Sequence, residues 1–260
     1  MKAYVVRGYG IECEEEMTRA ARVSQAFEEV NDLVLPKFFA GLEESKKIQW
    51  PFEKGDWILL PGGFSYADHF GSGKLLALRL KELGFFEAAF AKGAHFVGVC
   101  NGFQMLVESG VFGDSVTLEF NKPRGFVNRW VQLSQMKVES SIESENALAI
   151  RLPVRHGEGC LKVGSSSKSS LAPNVKAFLF YDDAQFSNGS DQEIAGLLAH
   201  VGESKVWGMM PHPEISLQKH DDPDFFATDF MPQHRESQAH QEGDGLKLLR
   251  QIFSFERNPS

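Results

Sequence analysis

Phe96-Val97-Gly98-Val99-Cys100-Asn101-Gly102-Phe103-Gln104 decides how the rest of the chain is read. Residues 96–99 form a short apolar run with the length of a buried strand. After Cys100 the apolar positions Phe103, Met105, Leu106 and Val107 take up helical spacing until Gly110 ends it. A strand that passes directly into a helix is the repeating unit of an α/β sheet. Cys100 stands at the joint, with Gly98 two residues before it and Gly102 two after. A nucleophile elbow demands small residues at both places, because its sharp, strained turn leaves no room for side chains. Such an elbow would hold Cys100 at a helix N-terminus, where backbone N–H groups and the helix dipole favour thiolate over thiol. The backbone N–H of Asn101 would then point at an oxyanion. A buried structural cysteine between two packing glycines has the same spelling, so the elbow needs independent support.

Outward from this joint, the first half of the chain alternates strand-like and helix-like segments. Strands are expected at 3–6, 33–35 and 57–60, and helices at 14–30 and 75–90; the acidic start Glu14-Glu15-Glu16 suits the positive end of a helix dipole. Beyond about residue 120 come shorter β-like pieces at 126–133, 147–152, 176–180, 194–198 and 206–210, with turns at 164–170 and 187–190 and a closing helix at 246–253. Periodicity does not decide whether these pieces form an antiparallel extension or further strands of one sheet. The expected class is α/β: a doubly wound, mostly parallel sheet flanked by helices, with a smaller antiparallel extension. The expected organisation is one domain over residues 1–260 with an acidic loop insertion at 215–244.

Composition narrows the function. With 42% hydrophobic and 24% charged residues, the 260-residue chain has ordinary globular proportions and enough length for a large core. A net charge of −8 argues against nucleic acid or an anionic membrane as partner and favours a small molecule or another protein. Seven acidic and two basic residues fall within 215–244, so the charge is concentrated rather than diffuse. Cys13, Cys100 and Cys160 are odd in number and far apart, which suggests neither a disulfide framework nor a paired-cysteine metal site and fits a reducing compartment. No apolar window has the length of a membrane span, and the N-terminus does not resemble a signal peptide, so a cytoplasmic protein is expected. His220, Asp221, Asp222 and Asp224 invite a metal reading, but a solvated loop is the expectation and no metal is assigned. His69 and His95 read as structural or surface residues.

A nucleophilic cysteine needs a base with an orienting partner. Met210-Pro211-His212-Pro213-Glu214 supplies both at the end of a strand-like run, where α/β folds place their sites. A residue before proline is pushed toward extended conformations, and residues two apart in an extended chain share a face, so Glu214 could hold the His212 imidazole in its proton-accepting tautomer. The alternative is a turn with two exposed polar side chains. Pro61-Gly62-Gly63-Phe64-Ser65 also follows a strand; its glycines permit close approach of a ligand, and the Gly63 amide could join Asn101 as an oxyanion donor. A plain tight turn is again the alternative.

Together the three motifs resemble the class I (triad) glutamine amidotransferases, which have a flavodoxin-like fold. In the spellings Pro61–Tyr66, Gly98–Gln104 and Gly208–Glu214 they resemble the glutaminase subunits of phosphoribosylformylglycinamidine synthase. Asn101 after the nucleophile is the sharpest discriminator from relatives that serve other acceptors. Cys13 with its acidic successors, Pro153–Gly159, Asn188-Gly189-Ser190 and Asp244–Lys247 extend the likeness over nearly the whole chain. The resemblance implies a catalytic triad of Cys100, His212 and Glu214, an oxyanion hole of the Gly63 and Asn101 amides, and glutamine contacts at Gln104, His156 and Gly157. It also implies a synthetase subunit as partner, with a small bridging subunit, and ATP and Mg used by that synthetase. No cofactor is expected in this chain, which has no phosphate-binding Gly-x-x-x-x-Gly-Lys-Ser/Thr loop. An amidotransferase serving another acceptor, or a non-catalytic module of the same fold, are the competing readings. Ala67 stands where the family commonly has Gly, Glu12 where it has Asn and Ile215 where it has Arg.

Overall fold

The computed structural model describes residues 1–35, 48–136, 148–164, 170–226 and 241–254. Its main sheet has nine strands in the order β2-β1-β3-β4-β11-β10-β9-β6-β7. Strands β2 (Glu29–Val34), β1 (Lys2–Arg7), β3 (Trp57–Leu60), β4 (His95–Val99) and β11 (Ser204–Met209) pair in parallel. From β11 outward, β10 (Ile194–Val201), β9 (Val175–Tyr181), β6 (Val127–Gln135) and β7 (Leu148–His156) pair antiparallel. The antiparallel pieces therefore continue the parallel sheet. A separate two-stranded sheet joins β5 (Val116–Phe120) to β8 (Glu158–Val163), neither of them among the strands expected, although 116–120 alternates apolar and polar residues.

The central strands are wholly buried, as strands covered on both faces must be: every residue of β3 and β4 is in the core. Register separates the two faces. Trp57 lies opposite His95, and Ile58 opposite Phe96. On the first face Trp57 stacks near His95 and meets Phe253 of the C-terminal helix α5 (Asp244–Ser254), with ring centroids 5.0 and 5.2 Å away. On the second face Phe96 meets Phe85, Phe86 and Phe90 of the helix α3 (Phe85–Lys92). Helix α1 (Glu14–Ser24) packs with α5, while α2 (Lys74–Glu82) packs with α3 and with α4 (Asn101–Ser109). Each large side chain buried this way is worth roughly 1.5–3 kcal/mol, which is why the sheet can carry a strained turn at the C-terminal end of its central strand β4.

Two helix boundaries differ from the sequence expectation. The helix expected over 14–30 ends at Ser24, where Gln25 turns left-handed with φ of 57°. Residues 29–34 instead form edge strand β2, held to β1 by the parallel ladder and by the Lys2–Glu29 and Arg7–Asp32 ion pairs at 2.9 and 2.7 Å. The polar sequence Glu29-Val30-Asn31-Asp32 carries little apolar period, so the pairing rather than the pattern sets the strand. The helix expected over 75–90 is two helices, α2 and α3, broken at Gly84, which has φ of 65°. Glycine is the residue that adopts this conformation without steric cost.

The acidic segment 215–244 is only partly the solvated loop expected. Leu217 is buried, and Gln218 forms a β-bridge with Glu242. Arg151 of β7 bonds Asp222 at 2.9 and 3.0 Å and also pairs with Asp224, while the Asp221 carboxylate accepts the Leu217 and Gln218 N–H groups at 2.9 and 2.8 Å. The acidic residues near its start are thus anchors, and residues 227–240 lie outside the described part. Part of the 164–170 turn and Ala147 also lie outside it.

Candidate active site

The turn from β4 into α4 forces Cys100 to φ 51° and ψ −106°, a conformation sparsely populated by residues with a Cβ and costing on the order of 1–3 kcal/mol. Neighbours hold it there. The Cys100 N–H donates to the Met209 carbonyl of β11 at 2.8 Å, and its carbonyl accepts the Gln104 N–H at 2.9 Å. A Cβ at Gly98 would lie 2.5 Å from Leu106 Cδ1, and one at Gly102 would overlap the Leu60 carbonyl oxygen. The close approach of strand and helix is what the two glycines permit. The Cys100 thiol donates to the Arg155 carbonyl at 3.5 Å, which places the end of β7 against this cysteine.

His212 and Glu214 are almost fully buried, and His212 Nδ1 lies 2.7 Å from Glu214 Oε1. The carboxylate can only accept, so Nδ1 carries the proton and Nε2 is left as the reactive nitrogen. The pair forms by a different route from the extended chain expected. His212 is extended (φ −101°, ψ 86°), but Pro213–Ile215 is a 3₁₀ turn that starts with the proline at its first position. The turn folds the carboxylate back onto the ring. The His212 N–H donates to Pro153 at 2.9 Å, fastening this turn to β7 beside Arg155. Burial alone would depress the imidazolium, but the fields of Glu214 and Cys100 hold its pKa well above the ordinary histidine value.

Gly63 sits opposite Ile11 in an isolated antiparallel bridge whose two bonds are Phe64 N–H to Gly10 O (2.8 Å) and Glu12 N–H to Gly62 O (3.1 Å). Both bonds use its neighbours, so among the described residues the Gly63 N–H remains available. The Asn101 N–H is in the first turn of α4, where amides have no partner within the helix. Of the expected glutamine contacts, Gln104 is tied at both ends of its carboxamide: Oε1 accepts from Asn101 at 2.9 Å, and Nε2 donates to the Glu158 carbonyl at 2.6 Å. Gly157 lies beside the exposed ring of Phe126, itself 6.2 Å from the ring of Phe64.

His156 is buried, and its tautomer follows from Asn121. The Asn121 amide nitrogen donates to the Gly125 and His156 carbonyls at 3.0 and 2.8 Å, so its oxygen faces the Gly159 N–H at 3.2 Å and His156 Nδ1 at 3.1 Å. His156 Nδ1 must therefore donate, and Nε2 is a buried acceptor without a hydrogen-bond partner among the described residues. Burial, aided by His212, lowers its pKa to about 3.

Two neighbours of the site were not marked as functional from sequence. Cys13 caps the start of α1, its N–H donating to Gly62 at 3.1 Å, and its sulfur lies with donor atoms of His212 and Glu214 within 4.8 Å of one another. Burial pushes its thiol pKa up, opposed by the neighbouring His212. Cys13, His212 and Glu214 are the group of potential metal donors found among the described residues, but Glu214 Oε1 is committed to His212 Nδ1, the arrangement of a proton relay. The Tyr181 hydroxyl, buried at the end of β9, has no hydrogen-bond partner among the described residues and is held protonated by burial. Neither residue carried more signal than a family match for Cys13, because long-range packing brings both to the site.

Comparison with known proteins agrees with this geometry. A family model described as CobB/CobQ-like glutamine amidotransferase domain matches residues 1–241. The phosphoribosylformylglycinamidine synthase subunit PurQ of Methanococcus maripaludis (strain S2) is 30% identical over 247 residues, covering 86% of this chain and 85% of the relative. The protein of the same name from Lacticaseibacillus paracasei is 30% identical over 222 residues, covering 84% and 88%. The solved structure of PurLQS from Thermotoga maritima superposes with a TM-score of 0.68 at 25% identity, covering 98% of both chains. The chain belongs to the CobB/CobQ-like glutamine amidotransferase family, among the phosphoribosylformylglycinamidine synthase subunits PurQ.

Proposed function

We infer that this chain is the glutaminase subunit of phosphoribosylformylglycinamidine synthase. It hydrolyses glutamine to glutamate and ammonia and passes the ammonia to a synthetase subunit, which uses ATP to convert formylglycinamide ribonucleotide to its amidine in purine biosynthesis. The observation that carries the chemistry is the 2.7 Å bond between buried His212 and Glu214, set beside a cysteine in a strained elbow.

The steps follow from that arrangement. Cys100 Sγ attacks the side-chain amide carbon of glutamine while His212 Nε2 holds the thiol proton, and Glu214 stabilises the imidazolium. The developing oxyanion faces the Gly63 and Asn101 N–H groups; loss of one such donor typically costs about 10²–10³ in rate. Collapse breaks the C–N bond, the His212 proton leaves with nitrogen as ammonia, and a thioester remains on Cys100. Water then attacks the thioester with His212 as base, releasing glutamate and returning the proton to sulfur. His156 Nε2, fixed as an acceptor, suits an N–H of glutamine, and Gln104 and Gly157 complete the binding contacts.

The partners are glutamine, the synthetase subunit and a small bridging subunit; the exposed Phe64–Phe126 pair beside Gly157 gives a partner apolar surface at the rim of the site. ATP and Mg belong to the synthetase, and this chain needs no cofactor. No helix among the described residues is long and apolar enough to cross a membrane. A cytoplasmic setting is proposed from the three free cysteines. The test is reconstitution with the synthetase: Cys100→Ala is expected to abolish glutamine-dependent synthesis and to leave ammonia-dependent synthesis intact. Unchanged glutamine-dependent synthesis in that variant would overturn the assignment.

A further inference from the structure

The segment after the oxyanion glycine has an unusual backbone. Tyr66, Ala67, Asp68 and Phe70, all with side chains, adopt φ of 53°, 53°, 54° and 64°. Left-handed conformations are unfavourable for such residues and persist where surrounding contacts over-determine them. Those contacts converge on Asn101. Its side chain is fully buried, and Oδ1 accepts the Ser65 N–H at 3.2 Å, which fixes the orientation of the amide. Nδ2 then gives one proton to Gln104 Oε1 at 2.9 Å and the other to Asp68 Oδ1 at 3.4 Å. Gln104 continues to the Glu158 carbonyl at 2.6 Å, and the Glu158 carboxylate takes the Ser72 N–H at 3.0 Å. The bonds close a ring through the nucleophile helix, the left-handed turn and strand β8.

We propose that the Asn101 carboxamide is a positioning device for the oxyanion hole: by bonding Ser65 and Asp68 it tethers the left-handed turn to the helix that carries Cys100, and so holds the Gly63 amide in register with the Asn101 amide. This rests on the glutaminase reading above. The side chain acts through Gly63 and does not touch the reacting atoms. Its loss removes stabilisation of the oxyanion and leaves the nucleophile in place, while Gln104 keeps its bond to the Glu158 carbonyl, so the effect falls mainly on kcat and only slightly on KM.

The test uses the assembled complex with the synthetase and small subunit, and wild-type glutaminase turnover is measured first. Asn101→Asp keeps an acceptor for Ser65 but sets a carboxylate against Asp68 Oδ1 and Gln104 Oε1. Its kcat is expected to fall roughly 10–100-fold, less than the about 10²–10³ for outright loss of an oxyanion donor because the Gly63 amide is displaced rather than removed, with KM within threefold. Alkylation of Cys100 by iodoacetamide, followed on the Cys100 peptide, is expected within twofold of wild type. Adding Asp68→Asn reverses the donor and acceptor of the tether to position 68 and is expected to recover part of the lost kcat, the Gln104 bond staying broken. Asp68→Ala cuts the tether from the loop side, with a smaller loss of kcat, and decides the matter if Asn101→Asp does not fold. An active wild-type complex whose kcat is indifferent to these substitutions, or a loss of kcat matched by lost Cys100 alkylation, overturns the tether alone. A wild-type complex without glutaminase turnover overturns the reading beneath it.

Discussion

At the scale of single residues, His156 shows how a buried group is settled by its neighbours. Asn121 forces its Nδ1 to donate, and burial keeps the ring neutral, with a pKa of about 3 against an ordinary value of 6.5. Above pH 6.5 both folded and unfolded forms are neutral, and His156 contributes no pH dependence. As pH falls below 6.5 the unfolded chain takes up a proton that the folded chain refuses, so stability is lost progressively toward pH 3. Between pH 7.5 and 5 the loss from this group is about 2 kcal/mol. Urea unfolding of wild type and His156→Gln at both pH values measures it as a double difference, which cancels other titrating groups. A variant with the same pH slope as wild type would show that His156 is protonated as readily folded as unfolded. The sequence offered His156 as a glutamine contact by resemblance; its tautomer depends on Asn121, 35 residues away, and was not legible there.

At the scale of elements, the joints were easier to read than the lengths. Gly98, Cys100 and Gly102 announced the elbow because a steric demand at fixed offsets leaves its mark on local sequence. The His212–Glu214 pair was found for the right residues through an extended geometry that the structure replaces with a 3₁₀ turn. Of edge strand β2 only the end, at 33–34, was read as a strand; its polar first part was hidden because its stability comes from pairing with β1, which no local window contains. The turn at Tyr66–Asp68 was marked only by the presence of Ala67 where the family commonly has Gly, and the structure gives the physical sense of that departure: Ala67 has φ of 53°. A left-handed residue with a Cβ costs roughly 1–2 kcal/mol, of which the greater unfolded-state freedom of glycine takes back roughly 0.5–1. Ala67→Gly is therefore expected to raise stability by about 0.5–1 kcal/mol, read as a higher urea midpoint at unchanged m-value. A lowered midpoint would mean that this backbone is relaxed with alanine in place.

At the scale of the whole molecule, the two ends of the chain are packed on each other. Helix α5 follows the antiparallel half in sequence, yet Phe253 lies 4.7 Å from Phe27 and 5.2 Å from Trp57 of the parallel half by ring centroid. Arg250 of the same helix donates to the Val23 and Ser24 carbonyls at the C-terminus of α1, at 3.2 and 3.3 Å. Asp244, at its start, accepts the Arg151 N–H of β7 at 3.1 Å. One helix thus contacts both the end of α1 and the strand β7, and the turn Pro213–Ile215 that carries Glu214 lies against it through the Leu246 N–H to Ser216 carbonyl bond of 3.0 Å. A doubly wound first half with apolar strands reads from sequence as a self-sufficient unit; its dependence on residues 246–253 does not, since a helical pattern records which face is apolar and not what covers it. Phe253→Ala is expected to cost about 3–5 kcal/mol by leaving a cavity against Trp57 and Phe27. Because α5 joins both halves, unfolding should remain one transition, with the aromatic near-ultraviolet signal and the backbone far-ultraviolet signal lost together at a lower midpoint. Separation of the two signals in the variant, with the parallel half surviving the loss of α5 packing, would show that the halves fold independently and that the helix merely rests on the first.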